Sequence, residues 1–428
     1  MTECRAAINV VNFVDQYCSY YEDLFVGDVR NYEYFKYLHL GLIAELPRKS
    51  LPAIAKAVGL NDSQGLHHFI ANADWNVEQL RERRIELIKK VLKGRSITLC
   101  IDETGDKKKG RTTDYVARQY IGNLGKLENG IVSVNAYGVL DGITFPLLFK
   151  VYKPKTRLKD GDEYKSKPTL AVEIIEELQQ AGIKFSVVLA DCLYGESIGF
   201  IRALQRLKLN YVLAIRSDHA CRIPAEQKVY STSWQEFDRV FSNGETEIRY
   251  IREVIYGTRR SVRYYQITTD KQTLPSESTW FIMTNLEGRI RTQVGNVYGL
   301  RNWIEYGFKQ SKNELGWADY RLTDYSDIER WWEIVSSAYL MVSLQAEIFA
   351  DSSRLKSVSA KENKFREHKW WDEGQGWKNL LNNLRLIIQP FVYLCLLTPW
   401  LQIFHIPSLR DGFTTLMAIM NRFSGFLP

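Results

Sequence analysis

Apolar positions along this chain change their period several times. From residue 30 to 93 they recur at helical spacing among polar residues, which predicts a helical segment. Within it, Ser50 and Pro52 open a short helix (LPAIAKAV), Gly59 makes a turn, and Asn61 or Asp62 caps a second helix (SQGLHHFIANA). Helix, glycine turn, helix is the form of a helix-turn-helix, whose second helix enters a DNA major groove; a plain helical hairpin has the same pattern. From Ser96 the period becomes two. Ile97, Leu99 and Ile101 alternate with Thr98, Cys100 and Asp102, predicting a strand that ends in an acid. Two further strands, Gly130–Leu140 and Ile143–Tyr152, flank Asp141-Gly142, a strong hairpin signal. An amphipathic helix over Pro168–Ala181 leads to Phe185–Ala190 (FSVVLA), an unbroken apolar run that suits a strand buried on both faces and again ends in an acid, Asp191. A helix (Ser197–Leu207) and a strand (Tyr211–Arg216) follow. The order predicts an α/β core, a mixed sheet with helices outside.

Residues 218–285 interrupt that alternation. Glu247–Thr269 alternates in strand fashion around Gly257 and carries Arg249, Arg252, Arg259, Arg260 and Arg263 among tyrosines. This predicts a β-rich insertion whose basic and aromatic residues either contact nucleic acid or form a solvated sheet face. Composition narrows the class only a little. A net charge of +7 suits a polyanionic partner, but 50 acidic residues stand against 57 basic ones, so any nucleic-acid surface must be local. Six dispersed cysteines without a C-x-x-C pair indicate neither a disulfide framework nor a zinc site and fit a reducing compartment. The N-terminus lacks a signal-peptide core. Residues 386–407 are nearly uncharged and long enough to cross a bilayer. Gln389, Pro390, Pro399, Gln402 and His405 should break them into a buried helical pair, so no membrane partner is expected.

The chemistry concentrates in YGLRNWIEYGFKQSK. Tyr298, Arg301, Glu305 and Lys312 stand at relative positions 0, 3, 7 and 14, which on one helix fall within an arc of roughly 60°. Leu300, Trp303 and Ile304 take the opposite side. A phenol, a guanidinium, a carboxylate and an ammonium on one stripe form either a surface salt-bridge row or part of a site. Two acids that end strands upstream favour a site. Divalent metals in a nuclease-like centre need carboxylates from separate elements converging on one point, and Asp102, Asp191 and Glu305 can supply them. Arg301 and Lys312 suit the phosphate backbone, and Tyr298 can add a hydrogen bond to it.

The spacing Y-x2-R-x3-E-x6-K resembles the signature of bacterial insertion-sequence transposases of the DDE type. The segments IDETGDKKKG…VARQYIGNLGKLENG and VVLADCLYGES are similar to one subgroup of them, over residues 30 to about 345. The resemblance implies a ribonuclease H-like fold and cut-and-paste transposition with Mg2+ or Mn2+, with two ions expected. It also implies double-stranded DNA as partner, at element ends and target, and a homodimer on paired ends. Tyr298, Arg301 and Lys312 would hold terminal phosphates. Trp280 is the tryptophan placed to stack on a flipped base; a core tryptophan is the competing reading. Alternation and the family pattern favour Asp102 over Glu103 as the first ligand. Glu196 reads as a helix-start acid or a support for the site.

The resulting layout is an N-terminal helical DNA-binding domain (1–95), a catalytic core in two parts (96–217 and 286–345), a β-rich insertion (218–285) and a C-terminal helical region (346–428). A bacterial cytoplasmic, nucleoid-associated location follows. Gly105–Thr112 nearly fits the phosphate-binding loop G-x-x-x-x-G-K-[ST], but Arg111 replaces its lysine and TTDYVARQY starts a helix poorly, which argues against an ATPase or kinase. The histidines form no metal triad. A non-cleaving descendant that binds DNA as a regulator is the alternative from another class, and the presence of all three acids speaks against it.

Overall fold

The computed structural model describes residues 6–25, 27–221, 223, 226–241, 245–258, 260–346, 363–374 and 376–423. Arg259, assigned above to the basic insertion, lies outside the described residues, as do 1–5 of the N-terminal domain and 347–362 of the C-terminal region. Two compact units are present: Met1–Lys93 with Thr112–Asp114 and Phe308–Pro428, and Gly94–Arg111 with Tyr115–Gly307.

Five helices precede the first strand: α1 (Asn12–Ser19), α2 (Val29–Ile43), α3 (Leu51–Ala57), α4 (Gln64–Ala71) and α5 (Val77–Leu92). Five accompany the strands: α6 (Lys167–Gln180), α7 (Cys192–Gly195), α8 (Ile198–Arg206), α9 (Arg291–Gly299) and α10 (Asn302–Asn313). The described residues close with α11 (Tyr325–Ser343), α12 (Asn363–Arg366), α13 (Trp377–Ile403) and α14 (Pro407–Met420).

The second unit holds every described strand. These are β1 (Ile97–Lys107), β2 (Ala117–Ile121), β3 (Lys126–Leu140), β4 (Ile143–Val151), β5 (Phe185–Ala190) and β6 (Tyr211–Ile215), then β7 (Val229–Ser231), β8 (Gln235–Val240), β9 (Thr246–Tyr256), β10 (Arg263–Thr268) and β11 (Trp280–Thr284). Its core runs β4–β3–β1–β5–β6, with β4, β3 and β1 antiparallel and β1, β5 and β6 parallel. This is the ribonuclease H-like mixed sheet expected from the sequence. Asp141 (φ 44°) and Gly142 (φ 88°) make the β3–β4 turn, where two left-handed residues match the twist of the strands. Gly105, Asp106 and Lys107 lie within β1, and the next element is β2 rather than a helix, so no phosphate-binding loop forms.

One expectation changes here. The first strand does not end at Asp102, because β3 is long enough to pair β1 as far as Lys107. The β-rich segment 218–285 continues the same sheet: β11 pairs antiparallel with β6, and β10, β9 and β7 extend it.

In the first unit, α2 and α11 carry the core. His39 Nδ1 lies 2.8 Å from the Phe35 carbonyl and must donate to it, so Nε2, 2.9 Å from Ser337 Oγ, accepts. Arg84 on α5 pairs with Glu333 on α11, both fully buried. Gly59 (φ 78°) makes the α3–α4 turn. The C-terminal expectation is corrected. Helix α13 runs unbroken through Pro390 and Pro399, buried at Leu381, Leu384 and Ile388 but exposed at Trp400 and Ile403, and α14 has no buried residue. By length and composition alone, α13 could cross a membrane.

Two outcomes follow from this packing. Burial pulls the His39 imidazole from 6.5 down to about 4. Between those values the unfolded chain binds the extra proton, so the contribution is complete above pH 6.5 and is lost as pH falls towards 4. It amounts to about 3 kcal/mol. Urea unfolding across this range should show that slope in the native chain and a shallower one in His39→Gln. The second outcome concerns Gly195, where a Cβ would collide with the Ala214 carbonyl oxygen of β6. Gly195→Ala should cost about 2 kcal/mol or more. Gly199→Ala, with open space around it, should be neutral or stabilising by up to about 1 kcal/mol in the same measurement.

Candidate active site

The parallel pairing of β1 with β5 ends at Ile101 opposite Ala190. Asp102 and Asp191 come next on neighbouring strands, whose usual spacing is about 4.8 Å. There the two chains part. β1 continues, while Asp191 caps α7 by accepting the Leu193 N–H at 2.9 Å. Gly195 seats α7 against β6 and holds that turn in place.

The run from Tyr298 to Lys312 is not one helix. α9 ends at Gly299, Leu300 and Arg301 form a turn, and α10 starts at Asn302. The four residues therefore do not lie on one unbroken helix, and Arg301, in the turn, reaches the sheet. Cys100 Sγ donates to the Leu300 carbonyl at 3.5 Å, tying the turn to β1. Arg301 then bridges two acids: Nη1 donates to Asp102 Oδ2 at 2.8 Å and Nη2 to Glu305 Oε1 at 2.9 Å. Asp102 is 13% exposed and Glu305 49%. Burial pushes the Asp102 carboxyl up to about 7, and the Asp191 charge adds to this although Arg301 opposes it. Burial likewise raises the Tyr298 phenol, and Arg301 opposes that too. Lys312 lies in the last turn of α10, beyond Gly307 and in the other compact unit.

Neighbouring strand residues face opposite sides, and Glu103 follows that rule. It pairs with Lys167 Nζ of α6 at 2.8 Å and accepts from the Tyr194 hydroxyl at 3.4 Å, away from Arg301. Glu196 accepts the Arg216 N–H at 2.8 Å and contacts His219 at 2.9 Å, so it ties α7 to the chain leaving β6. Trp280 begins β11, and its ring lies under two guanidiniums, Arg249 at 4.4 Å and Arg239 at 5.8 Å. Arg239 escapes a reading of the sequence, since one arginine in QEFDRV carries no signal of its own.

Three carboxylates are hard oxygen donors of the kind that Mg2+ or Mn2+ takes. Burial is the main reason that the Asp102 carboxyl is raised, and the Asp191 charge adds to it. In the structure, Arg301 supplies the positive charge between Asp102 and Glu305. Among the described residues, no three His, Cys, Asp or Glu side chains stand at metal-ligand spacing. The donor set fits a divalent ion in its chemistry.

Known proteins resemble this chain over much of its length. Two family models match, "DDE superfamily endonuclease" over residues 31–236 and "Transposase DDE domain" over 155–341. A protein of Microchaete diplosiphon described as "Probable transposase for insertion sequence element IS701" is 57% identical over 330 residues, 77% of this chain and 87% of the relative. Among solved structures, a piggyBac transposase synaptic complex with hairpin DNA aligns over 96% of this chain and 81% of that one, with 11% identity and a TM-score of 0.45. The extent and level of identity to the insertion-sequence protein, on a chain that matches the DDE models, place it in a family: it belongs to the DDE transposases of bacterial insertion sequences.

Proposed function

We propose that this transposase cuts and rejoins DNA at the ends of its own element, with Asp102, Asp191 and Glu305 as the carboxylates that hold its metal. The family is divalent-metal dependent and acts on DNA; two Mg2+ or Mn2+ ions are the finer reading. The observation that carries it is the adjacency of Asp102 and Asp191 at the end of the β1–β5 pairing, with Glu305 linked to Asp102 through Arg301. Glu103 points to the other face, which supports Asp102 as the first ligand. When bound, the metal would activate the attacking oxygen and stabilise the leaving one.

The protein's own residues would do the rest. Arg301, still with one buried N–H to offer, and Tyr298 beside it would orient the phosphate, and Lys312 would meet the backbone further along α10. Helix α4 presents Gln64, His67 and His68 to solvent, and these would read an element end in the major groove. The chain would act as a homodimer on paired ends, in the cytoplasm and on the nucleoid. Residues 1–95, 96–217 with 286–345, 218–285 and 346–428 would divide end recognition, catalysis, insertion and helical tail.

Asp191→Asn and Glu305→Gln should each abolish strand cleavage of DNA bearing the flanking inverted repeats in Mg2+, while gel-shift affinity stays within a few-fold of native. Native protein that binds these ends and never cuts would establish a regulator instead. The N-terminal residues share a compact unit with Phe308–Pro428, so point changes test recognition better than truncation. Gln64→Ala combined with His68→Ala should reduce the preference for end DNA over random duplex about tenfold or more, leaving non-specific affinity in place. Unchanged discrimination in competition assays would refute groove reading by α4.

A further inference from the structure

Beside the carboxylates lies a second group of cations that the reading above does not use. Arg239 on β8 and Arg249 on β9 both approach the Trp280 ring, and Arg239 also covers Phe241 at 4.9 Å. Glu247 accepts from Arg249 Nε at 2.8 Å and Nη2 at 2.6 Å. Arg249 Nη1 is left buried without a partner, as are Arg239 Nε and Arg301 Nε. A buried donor with no acceptor is costly, and three on neighbouring guanidiniums are unusual. Burial weakens the charged form of Arg239 and repulsion from Arg249 adds to this; Tyr298 and Arg301 are also close enough to act on it.

The sheet holds this group in place. Asn296 of α9 donates to the Asp238 carbonyl at 2.9 Å and accepts the Val240 N–H at 3.1 Å, clamping β8 on both sides of Arg239. Phe237 fills the space over Gly295, where a Cβ would collide with it. Gly299, next to Tyr298, leaves its bare side to Arg239, so that a Cβ there would sit 3.6 Å from Nε. The insertion thus delivers a rigid guanidinium to the turn that bears Arg301. Several N–H groups lacking acceptors beside positive charge call for an anion with several oxygens, and a DNA phosphate is such an anion.

We propose that Arg239, with Arg249 braced on Trp280, binds a DNA backbone phosphate next to the one that is cut. The indole then serves as the floor for two guanidiniums rather than as a surface for a base. The proposal rests on the assignment of the cutting centre to Asp102, Asp191 and Glu305, and its test is a binding measurement that needs no cleavage.

The probe is a duplex carrying the flanking inverted repeat, bound to full-length protein in EDTA and followed by fluorescence anisotropy against KCl concentration. Arg239→Gln should bind about tenfold more weakly, with a salt slope smaller by about one, while Arg239→Lys should keep the slope. Neutral methylphosphonates placed singly along the end should reveal one position that weakens the native protein and leaves Arg239→Gln unaffected. A merely structural arginine would not produce that non-additivity. Equal effects of every methylphosphonate on both proteins, or an unchanged slope, would overturn the proposal. A base stacked on Trp280 would show as 2-aminopurine fluorescence quenched equally in native and Arg239→Gln protein, and that too would overturn it. If Arg239→Gln fails to fold, Arg249→Gln carries the same comparison. Native protein that binds in EDTA but never cuts in Mg2+ would remove the assigned cutting centre, and with it the proposal, even where the methylphosphonate pattern holds.

Discussion

The site depends on where one parallel pairing stops. β5 leaves β1 after Ala190 because Asp191 turns the chain into α7, while β1 continues with β3 as its remaining partner. Two acids thereby stand next to each other where one strand ends beside a continuing one. The register is demanding. A slip of one residue would carry Asp102 to the face where Glu103 meets Lys167 and bring Glu103 to Arg301. The buried residues on both sides, Ile97, Leu99 and Ile101 in β1 and Val187 to Ala190 in β5, resist such a slip because it would repack both faces.

Electrostatics then decides how the acids coexist. Burying a charged carboxylate is unfavourable, and the Asp102 carboxyl is raised chiefly for that reason, with the Asp191 charge adding to it. Arg301 is the local answer. A guanidinium can bond Asp102 and Glu305 with two arms at once, where an ammonium would act as a single point charge. Arg301 sits in the turn between α9 and α10, where it reaches Asp102 of β1 and also Glu305, four residues further along the chain. The bond from Cys100 to the Leu300 carbonyl fixes that turn against the strand.

Much of the core was legible because its signals are local. FSVVLA is short, apolar and closed by an acid, and Asp141-Gly142 dictates a hairpin through its two positive φ angles. The two acids were visible as the ends of such patterns, although only partner strands reveal that β1 runs on to Lys107. In the Tyr298–Lys312 run, a tertiary partner overrode local propensity. YGLRNWIEYGFKQSK has helical periodicity throughout, yet turns at Leu300 and Arg301, where the sheet holds it. The prolines of α13 predicted a broken helix, yet the chain stays helical through both. Arg239 was invisible because its meaning comes from Gly299 and Trp280, far away along the chain.

The insertion is best understood as part of the core sheet. It leaves after β6 and returns through β11, which pairs with that same β6. The seam is closely bonded: Thr284 donates to the Tyr211 carbonyl at 2.6 Å, and Asn285 both accepts the Tyr211 N–H at 2.8 Å and donates to the Leu209 carbonyl at 2.9 Å. From there only residues 285–290 separate β11 from α9, which leads to Tyr298 and Arg301. Both ends of the insertion are therefore anchored to β6, next to the strand that presents Asp191. Loops within 218–285 can change length without moving Trp280, whose place is set by its pairing with Ile267. A basic group built on these strands keeps a fixed position relative to the carboxylates, as a contact to a neighbouring phosphate requires, whereas a loop would have to be ordered anew each time DNA binds.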